Sequence, residues 1–452
     1  MRIGFIFPSS EYLYNPFRGD PHTHLQILTV IEHKLREKVT PMLIDLRGIK
    51  KKFALYHIPE CDVYLHSVYT LDHNEQAAIV KGLRERYPNA KHIAGGPHVN
   101  EFQEESLEIF DSIVLGDGEE SILQAINDLE KSNLKKIYEQ QGPIEINDYP
   151  FPKRHFLPHA TVARKNMMNV KDKSEYDELL GTTVIFSRGC PSNCAFCAMP
   201  KIKKYNPKIR FKKPKFIEEE IEYLKKEYDV RVISLLDEIG IPPVPKIATL
   251  QLEAIKRTKI VWRGQCRADG ITPEIAKLAR ESGCLALGLG VESASQRALD
   301  KINKKLDIEQ AKRTISYLKK NDIETRVYMI IGLPGEPPDI KNKTWNFIKE
   351  TDPDLVILSL FTVRPGTEVF DNPKKFGIKR IETDWTKTMH MFGRYEKEIP
   401  TLSFEYERDA PWGKSLTNEE IIHNYLELQD KINDHGYGPT TSAKLSDLEL
   451  EC

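Results

Sequence analysis

Three cysteines fall close together in the segment RGCPSNCAFC at residues 188–197. Cys190, Cys194 and Cys197 have the spacing Cys-x3-Cys-x2-Cys. Thiolates at this spacing can bind three irons of a cubane iron–sulfur cluster, whereas a ferredoxin-type cluster uses four cysteines. With three ligands from the chain, one iron is open to an outside ligand, and chemistry can occur there. The spacing therefore predicts a 4Fe-4S cluster with one reactive corner.

Two plainer interpretations of these cysteines stay open at this point. A structural zinc site needs a closed set of four ligands, usually two Cys-x2-Cys-type pairs. Cys266 or Cys284 could supply the fourth ligand, but neither has a second cysteine nearby. The three cysteines could also be buried thiols that serve as small apolar side chains.

The cysteine segment follows the first of six apolar runs between residues 183 and 360, and helical patterns lie between the runs. One such pattern places Ile217, Ile221, Leu224 and Tyr228 at spacings of four, three and four. Strand–helix units at intervals of roughly thirty residues predict a parallel barrel, open or closed. The expected strands are Thr183–Phe186, Val230–Leu236, Ile260–Arg263, Leu285–Gly290, Thr325–Ile331 and Leu355–Leu360.

Charged side chains follow two of these strands directly. Asp237 ends the second strand, and Arg267 and Asp269 come after the third. In αβ barrels the C-terminal ends of the strands carry the chemistry. We therefore expect these three residues at the reactive face, without assigning a role to each. The sequence assigns no catalytic residue.

Residues 1–135 alternate short apolar runs with helical patterns, which predicts a parallel sheet covered on both faces. In the first expected helix, Leu25, Leu28, Ile31 and Leu35 fall on one face. The expected strands are Ile3–Phe7, Met42–Asp45, Asp62–His66, Lys91–Ala94 and Asp111–Leu115, and the expected helices are Leu25–Arg36, Asn74–Tyr87 and Glu119–Leu129.

The rest of the chain divides into connecting and terminal segments. Residues 136–180 contain several prolines and a charged stretch, so they are expected to be a linker before a barrel at 181–365. Residues 366–452 are expected to form a small, mostly helical lobe that closes over a substrate, with a frayed end. Its aromatic residues are either walls of that site or ordinary core: Trp385, Phe392, Tyr395 and Trp412.

Composition limits the class of protein. The 66 Lys and Arg residues against 67 Asp and Glu residues give a net charge of −1, which argues against a general nucleic-acid coat or a polybasic membrane anchor. No apolar run reaches the ~18 residues of a spanning helix, and the N-terminus lacks a signal-peptide pattern. Seven cysteines, three of them clustered, favour thiolate metal ligands in a reducing cytoplasm over a disulfide framework.

The cysteine motif resembles that of the radical S-adenosylmethionine (SAM) superfamily, including the aromatic Phe196 before the last cysteine. The resemblance implies a (β/α)6 partial TIM barrel whose open iron is chelated by SAM. Reduction then cleaves SAM to methionine and a 5′-deoxyadenosyl radical. Two later segments are similar to family motifs, GVES at 290–293 and GLPGE at 332–336. The residues implied to bind SAM are Phe196, Gly288, Glu292, Ser293, Arg326 and Gly332.

The first 135 residues resemble the doubly wound, Rossmann-like cobalamin-binding domain fused ahead of many radical SAM domains. The matching segments lie in loops after three strands, and ligands of doubly wound sheets bind at that edge. One family motif, Asp-x-His-x-x-Gly, is incomplete here, because DPHTHL at 20–25 lacks the glycine. The resemblance implies cobalamin contacts at Ser67, Val68, Tyr69, Thr70, Gly95, Gly96, Pro97, His98, Gly116, Gly118 and Glu119.

Together these resemblances imply a cobalamin-dependent radical SAM enzyme, most often a methyltransferase that modifies an unactivated carbon. The substrate would be an unknown small molecule or peptide. An electron donor such as flavodoxin or ferredoxin would reduce the cluster of the enzyme. Ring formation or rearrangement is the alternative reaction. A metal-stabilised binding protein without turnover is the alternative from another class. Sulfur insertion is disfavoured, because the N-terminal region holds one cysteine, Cys61, where methylthiotransferases carry three.

Overall fold

The computed structural model describes residues 1–11, 15–17, 19–384 and 400–438. The chain divides into two compact units. The N-terminal unit comprises Met1–Val162 and Lys201–Lys208, and the C-terminal unit comprises Ala163–Pro200 and the chain from Ile209 onward. No helix in the described part of the chain has both the length and the apolar character needed to cross a bilayer.

The N-terminal unit contains one parallel sheet of six strands in the order β2-β1-β3-β4-β5-β6. Because β1 is paired with both β2 and β3, the direction of winding reverses at that point, as in doubly wound folds. The middle strands are buried on both faces, which explains their nearly continuous apolar runs. The strands are β1 (Arg2–Phe7), β2 (Thr40–Asp45), β3 (Val63–Ser67), β4 (Lys91–Gly95), β5 (Ser112–Leu115) and β6 (Ile137–Glu139).

Helices cover this sheet, as the apolar periodicity predicts. Leu25, Leu28 and Ile31 of the first helix are fully buried against it. The helices are α1 (His22–Leu35), α2 (His73–Arg86), α3 (Pro97–Glu101), α4 (Gln103–Ile109), α5 (Gly118–Glu130) and α6 (His159–Val162), with 3-10 turns at Lys51–His57 and Ile146–Asp148.

The N-terminal unit extends beyond residue 135, where the sequence pattern placed its end. Strand β6 lies within the expected linker and pairs with β5 through Val114 and Tyr138. It has only three residues, too few to show an alternating pattern. The expected linker 136–180 therefore divides between the two units at Val162.

The C-terminal unit contains a second parallel sheet whose six strands follow one another in chain order. This sequential order is that of a partial (β/α)6 barrel, so the predicted fold class is confirmed. A short antiparallel pair, β8 with β9, follows the first strand. The strands are β7 (Gly181–Val184), β8 (Ser187–Arg188), β9 (Arg210–Phe211), β10 (Val232–Leu235), β11 (Val261–Cys266), β12 (Cys284–Glu292), β13 (Glu324–Ile331) and β14 (Leu355–Leu360).

Helices alternate with these strands. In α8, Ile217, Ile221 and Leu224 are buried as their spacing predicts. Thr272 and Asp307 accept hydrogen bonds from backbone N–H groups at the starts of α10 and α12. The helices are α7 (Met199–Ile202), α8 (Pro214–Tyr228), α9 (Pro245–Thr258), α10 (Pro273–Glu281), α11 (Gln296–Lys301), α12 (Ile308–Lys320), α13 (Ile340–Thr351) and α14 (Glu368–Asp371), with 3-10 turns at Ser174–Tyr176, Ala268–Gly270 and Pro373–Phe376.

The segment after residue 366 belongs to the C-terminal unit in its described part. It contains one long helix, Asn418–Asp434, which begins with a capping box between Thr417 and Glu420. It also contains two short antiparallel pairs that the sequence pattern did not indicate. These are β15 (Ile378–Ile381) with β16 (Phe404–Tyr406), and β17 (Asp409–Ala410) with β18 (Gly413–Lys414).

Candidate active site

The cysteine loop begins where β7 ends, and a buried carboxylate fixes its first residues. Both oxygens of Asp237 lie 3.1 Å from the backbone N of Phe186, and Oδ1 accepts a 2.6 Å hydrogen bond from Ser187 Oγ. Glu238 accepts from the N–H of Gly189 at 3.2 Å. Burial raises the pKa of Asp237 to about 7. Asp237, expected at the reactive face, thus positions the loop that carries the cysteines.

The middle of the cysteine loop is held by two later segments of the same unit. The N–H of Ala195 donates to the carbonyl of Ile302 at 2.8 Å, and Asn303 Nδ2 donates to the carbonyl of Asn193 at 2.8 Å. The N–H of Val369 donates to the carbonyl of Ala195 at 3.1 Å. These bonds fix the backbone on both sides of Cys194.

The three cysteines of the motif differ in burial and do not form a group as compact as the ligands of one ion. In the described chain, one group of three metal-binding side chains has its ligand atoms all within 4.8 Å of one another, and it contains no cysteine. The sulfurs around a tetrahedral zinc ion lie about 3.8 Å apart when the Zn–S bonds are about 2.3 Å. Cys194 is buried, while Cys190 and Cys197 are half-buried. Three thiolates from one loop leave a metal cluster with one position open to an outside ligand.

Two cations lie beside the thiols. Arg267 Nη1 is 3.9 Å from Cys194 Sγ, and its guanidinium also binds Asp269 and the carbonyl of Lys304. Burial raises the pKa of the Cys194 and Cys197 thiols, whereas the positive charge of Lys304 acts in the opposite direction on both. Because metal binding requires deprotonated thiols, these cations stabilise the form that binds iron.

Glu292 ends β12 in a conformation that is uncommon for residues other than glycine. Its φ is 72°, and the pairing of β12 with β13 shifts register between Gly290 and Glu292. This irregularity accompanies a 2.7 Å ion pair between Glu292 Oε1 and Lys304 Nζ, with both side chains largely buried. Glu292 and the cysteine loop are thereby joined through the segment 302–304.

The GLPGE segment forms a tight turn after β13. Gly332 has a φ of 95°, and its N–H donates to Glu336 Oε2 at 2.8 Å. Tyr406 Oη donates to the carbonyl of Gly332 at 2.8 Å, so the C-terminal segment contacts this turn directly. Burial raises the pKa of Glu336 to about 8, while hydrogen bonds from Gly332, Leu333 and the buried Ser293 lower it.

The remaining predicted SAM contacts in this unit lie at different depths. Gly288 is buried within β12, and a Cβ there would lie 2.3 Å from Tyr328 Oη. Phe196 is half-buried in the cysteine loop. Trp412 packs edge-on against Tyr406 with ring centroids 5.5 Å apart. This contact favours ordinary core packing over a role as a wall of the substrate site. Trp385, Phe392 and Tyr395 lie outside the described residues.

Arg326 binds other partners in this structure, and its contact with SAM stays a prediction that these partners do not favour. It is the third residue of β13 and therefore lies toward the opposite end of the strand from the GLPGE turn. Its Nε donates to Glu324 Oε1 at 2.6 Å, and Nη2 donates to the carbonyls of Met168 and Asn169. The guanidinium is thus committed to a buried ion pair and to the backbone of the segment that precedes β7.

In the N-terminal unit, the loops after β3 and β4 are joined through their backbones. The N–H of Val68 donates to the carbonyl of Gly95 at 2.8 Å, and the N–H of His98 donates to the carbonyl of Val68 at 3.1 Å. Gly96 has a φ of 103°, and a Cβ there would meet Val68 N and O at 2.9 Å. Glycine is required here because the two loops approach so closely. Ser67 is buried beside them.

Asn100 connects these loops to the one after β5. Its Nδ2 donates to the carbonyl of Gly96 at 2.8 Å, and its Oδ1 accepts from the N–H of Gly116 at 3.0 Å. Gly118 begins α5, with Glu119 buried behind it. Thr70 is half-buried, while Tyr69 and Pro97 are exposed. The carboxyl ends of three parallel strands therefore form one surface of backbone, small side chains and the exposed Tyr69 ring, which fits a large ligand at this edge.

The histidines near this edge have partners within the unit. His66 Nδ1 is 2.8 Å from Gln76 Oε1, and its Nε2 is 3.1 Å from His92 Nδ1. His24 lies between the Phe5 and Phe7 rings, with Nε2 3.1 Å from the carbonyl of Ile6. His98, a predicted cobalamin contact, is fully buried, and burial lowers its pKa to about 3.

Several site residues escaped the sequence analysis. Lys304, Asn303 and Asn100 carry no motif of their own, and each has a side-chain partner twelve or more residues away. The clearest signal is the run Ile302-Asn-Lys-Lys305 after α11, where an asparagine precedes a pair of lysines. Among residues other than glycine, Asn is one of those that most readily adopt the left-handed conformation found at Asn303, whose φ is 54°.

Residues 184–343 match the family model of the radical SAM superfamily. This chain contains a radical SAM domain. A radical SAM domain uses a 4Fe-4S cluster and SAM, so the interpretations as a zinc site and as a binding protein without turnover are set aside. The matched range begins at the end of β7 and ends in α13, so it includes the cysteine loop, Glu292 and the GLPGE turn.

Two curated relatives resemble this radical SAM enzyme over most of its length. An uncharacterized methyltransferase of Pyrococcus horikoshii is 27% identical over 409 residues, covering 87% of this chain and 84% of that protein. The anaerobic magnesium-protoporphyrin IX monomethyl ester cyclase of Rubrivivax gelatinosus is 26% identical over 358 residues. The match covers 75% of this chain and 60% of the cyclase.

Two solved structures share the fold. The radical SAM methyltransferase TsrM from Kitasatospora setae, solved with cobalamin and a 4Fe-4S cluster bound, has a TM-score of 0.65 at 15% identity. The match covers 81% of this chain and 76% of TsrM. The cobalamin-dependent radical SAM enzyme OxsB has a TM-score of 0.58 at 17% identity, covering 83% of this chain and 56% of OxsB. Both matches extend beyond the radical SAM domain.

Proposed function

We propose that this radical SAM enzyme is a cobalamin-dependent methyltransferase that modifies an unactivated carbon of a small-molecule or peptide substrate. The observation that carries the proposal is the loop of three cysteines, which lies beside Arg267 and Lys304 within the stretch that matches the radical SAM model. The doubly wound N-terminal unit, with its glycine-rich strand ends, supports the cobalamin assignment.

In this proposal the C-terminal unit holds the cluster and SAM. Cys190, Cys194 and Cys197 bind three irons, and Asp237 keeps their loop in place from behind. Glu292 and Ser293 at the end of β12, with Gly288, Gly332 and Phe196, form the surface for SAM. When bound, the reduced cluster supplies the electron that cleaves SAM to methionine and a 5′-deoxyadenosyl radical. Buried side chains around the loop limit the access of water.

The cobalamin site is proposed at the carboxyl edge of the N-terminal sheet. The backbones of Gly95, Gly96 and Gly116 would let a ligand approach this edge closely, and the exposed Tyr69 and Pro97 offer it apolar contacts. Five further residues would contact cobalamin or hold this edge in place: Ser67, Val68, Thr70, Gly118 and Glu119. The buried His98 would support the edge from inside the unit. No cobalt ligand from the chain is proposed, because the motif at 20–25 lacks its glycine and His24 is bonded to the carbonyl of Ile6.

The relatives support two reaction types. The curated methyltransferase relative and the TsrM structure favour methylation, whereas the cyclase relative favours ring formation as a second candidate. Either reaction needs a low-potential electron donor such as flavodoxin or ferredoxin. The described cysteines are all free, which supports a reducing compartment such as the cytoplasm.

The test is an anaerobic assay of the full chain reconstituted with iron, sulfide and cobalamin. With SAM and a strong reductant, the enzyme should produce 5′-deoxyadenosine. With substrate, S-adenosylhomocysteine should also accumulate if the reaction is methyl transfer. Turnover of substrate with 5′-deoxyadenosine alone would favour ring formation instead.

Cys194→Ala and Cys266→Ala form a matched pair of variants for this assay. Both remove a buried thiol, but Cys266 ends β11 and is no part of the motif. Cys194→Ala should lose the iron–sulfur absorbance and all SAM cleavage, whereas Cys266→Ala should keep both. Equal activity of the two variants would refute the assignment of the cluster.

A further inference from the structure

Two imidazoles and a carboxylate converge in the N-terminal unit, in a group that contains no cysteine. His73 begins α2, His98 lies in α3 and Glu105 lies in α4. His73 Nε2 is 3.1 Å from Glu105 Oε1, and His98 Nε2 is 3.6 Å from Glu105 Oε2. One ligand atom from each residue lies within 4.8 Å of the other two.

The His98 Nε2 atom is the unusual member of this group. It is completely buried, and it has no hydrogen-bond partner among the described residues. The nearest carboxylate oxygen, at 3.6 Å, is too far for a hydrogen bond. A buried polar nitrogen without a partner destabilises the folded state, so most such atoms in proteins have a hydrogen-bond partner.

The other ring nitrogen of His98 makes a contact of the kind that metal-bound histidines make. His98 Nδ1 lies 3.4 Å from Thr70 Oγ1. When Nδ1 carries the proton and donates it to this hydroxyl, Nε2 presents a lone pair toward the carboxylate of Glu105. Two acceptors then face each other, and a cation between them would satisfy both. Metal-bound histidines commonly donate their second nitrogen in this way.

We propose that His73, His98 and Glu105 bind one divalent transition-metal ion of the zinc type. Two histidines and a carboxylate are a common ligand set for Zn²⁺, with bonds of about 2.0–2.2 Å that place ligand atoms about 3.3–3.5 Å apart. The observed separations of 3.1 and 3.6 Å bracket that range. Glu105 is half exposed, so the ion can enter from solvent and keep a water ligand.

The three ligands come from helices α2, α3 and α4, which lie outside the sheet, and a bound ion would link these helices to one another. His73 follows the loop after β3, His98 follows the loop after β4, and Glu105 fixes α4 to both. The same loops contain Thr70 and Gly96. A bound ion would therefore hold the carboxyl edge of the sheet in one conformation. The site is independent of the iron–sulfur cluster, since it shares no ligand with the cysteine loop.

The test uses the full chain with Cys190, Cys194 and Cys197 all changed to alanine, so that thiolate binding cannot contribute. The stripped protein is titrated with Co²⁺, read by its d–d absorption, and with Zn²⁺ in competition with a chromophoric chelator. Cobalamin is left out. We expect one equivalent of metal, with no thiolate charge-transfer band.

Glu105→Gln and Glu104→Gln are matched variants in this background, because both residues are exposed and lie in the first turn of α4. Glu105→Gln should bind the metal at least about tenfold more weakly, while Glu104→Gln should match its parent. His98→Ala should no longer bind one equivalent of metal, and its circular dichroism spectrum should show that it is still folded. The proposal fails if the parent takes up no equivalent, or if Glu105→Gln and Glu104→Gln bind equally well.

Discussion

The Lys304 ammonium lies 2.7 Å from the Glu292 carboxylate, and the two side chains are only 6% and 12% exposed. The pair connects the end of β12 to the segment that holds the cysteine loop through Ile302 and Asn303. The carboxylate proposed to reach SAM is thus already balanced by a cation. The charged groups of SAM would therefore meet an ion pair at this position and would not meet an isolated carboxylate.

Glu292→Gln should destabilise the C-terminal unit and also weaken SAM binding. Removing one partner of a buried ion pair leaves the other charge uncompensated, at a cost of about 3–5 kcal/mol. Urea unfolding and SAM titration of the reconstituted protein measure the two effects. In the double variant with Lys304→Met the stability should largely return, but SAM binding should not. If Glu292→Gln were as stable as its parent, the pair would not exist in solution.

Gly96→Ala should disrupt the proposed cobalamin edge. Its φ of 103° and ψ of 178° lie in a region that only glycine readily occupies, with a cost of about 1–3 kcal/mol for other residues. The new Cβ would also press on the backbone of Val68. Calorimetric unfolding should show a loss of at least that size, and cobalamin retention should fall. Gly142→Ala, where a Cβ meets nothing within 4 Å, is the control and should change neither.

The stability of the C-terminal unit should depend on the protonation of Asp237. Burial raises its pKa from 3.8 to about 7, so between these values the folded chain keeps a proton that the unfolded chain releases. The stabilisation is complete below pH 3.8 and is lost as the pH rises toward 7, with a slope near 1.4 kcal/mol per pH unit. Glu336 contributes with the same sign between 4.5 and about 8.

Asp237→Asn should remove this dependence. The difference in unfolding free energy between the parent and the variant, measured from pH 4 to pH 8, should change steadily in favour of the variant as the pH rises. Asp354→Asn is a useful comparison, because that carboxylate also accepts backbone and hydroxyl hydrogen bonds, both from Thr325. A parent-minus-variant difference that does not vary with pH would contradict the assignment.

Arg326→Lys should lower stability without changing SAM affinity. Lysine keeps the charge but loses the planar fork that binds Glu324 and two carbonyls together, at a cost of about 1.5–3 kcal/mol. Arg280→Lys, at an exposed ion pair with Asp322, should cost less than about 1 kcal/mol. Thermal unfolding and SAM titration of the two variants test this. A marked loss of SAM affinity in Arg326→Lys would instead support the predicted contact between Arg326 and SAM.

Local spacing in the sequence was sufficient to predict the cysteine motif and most of the strands and helices in both units. The thiols of Cys190, Cys194 and Cys197 lie on one loop, so their spacing alone restricts what they bind. The strands and helices follow apolar periods that repeat within single segments. Parallel order then places the carboxyl ends of neighbouring strands on one edge, which is why the loops after β3, β4 and β5 were correctly expected together.

The tertiary structure alone decided the long-range pairs. Arg326 was assigned to SAM from its position in a strand, but the end of the strand at which it lies and the partners it finds depend on packing. The three-residue strand β6 forms only because β5 offers it an edge.

Lys304 meets Glu292, and His73 meets His98 and Glu105, through loops whose turns no local pattern specifies. Charged and polar side chains take the partners that burial brings to them. Those partners are set by which elements become neighbours, and not by distance along the chain.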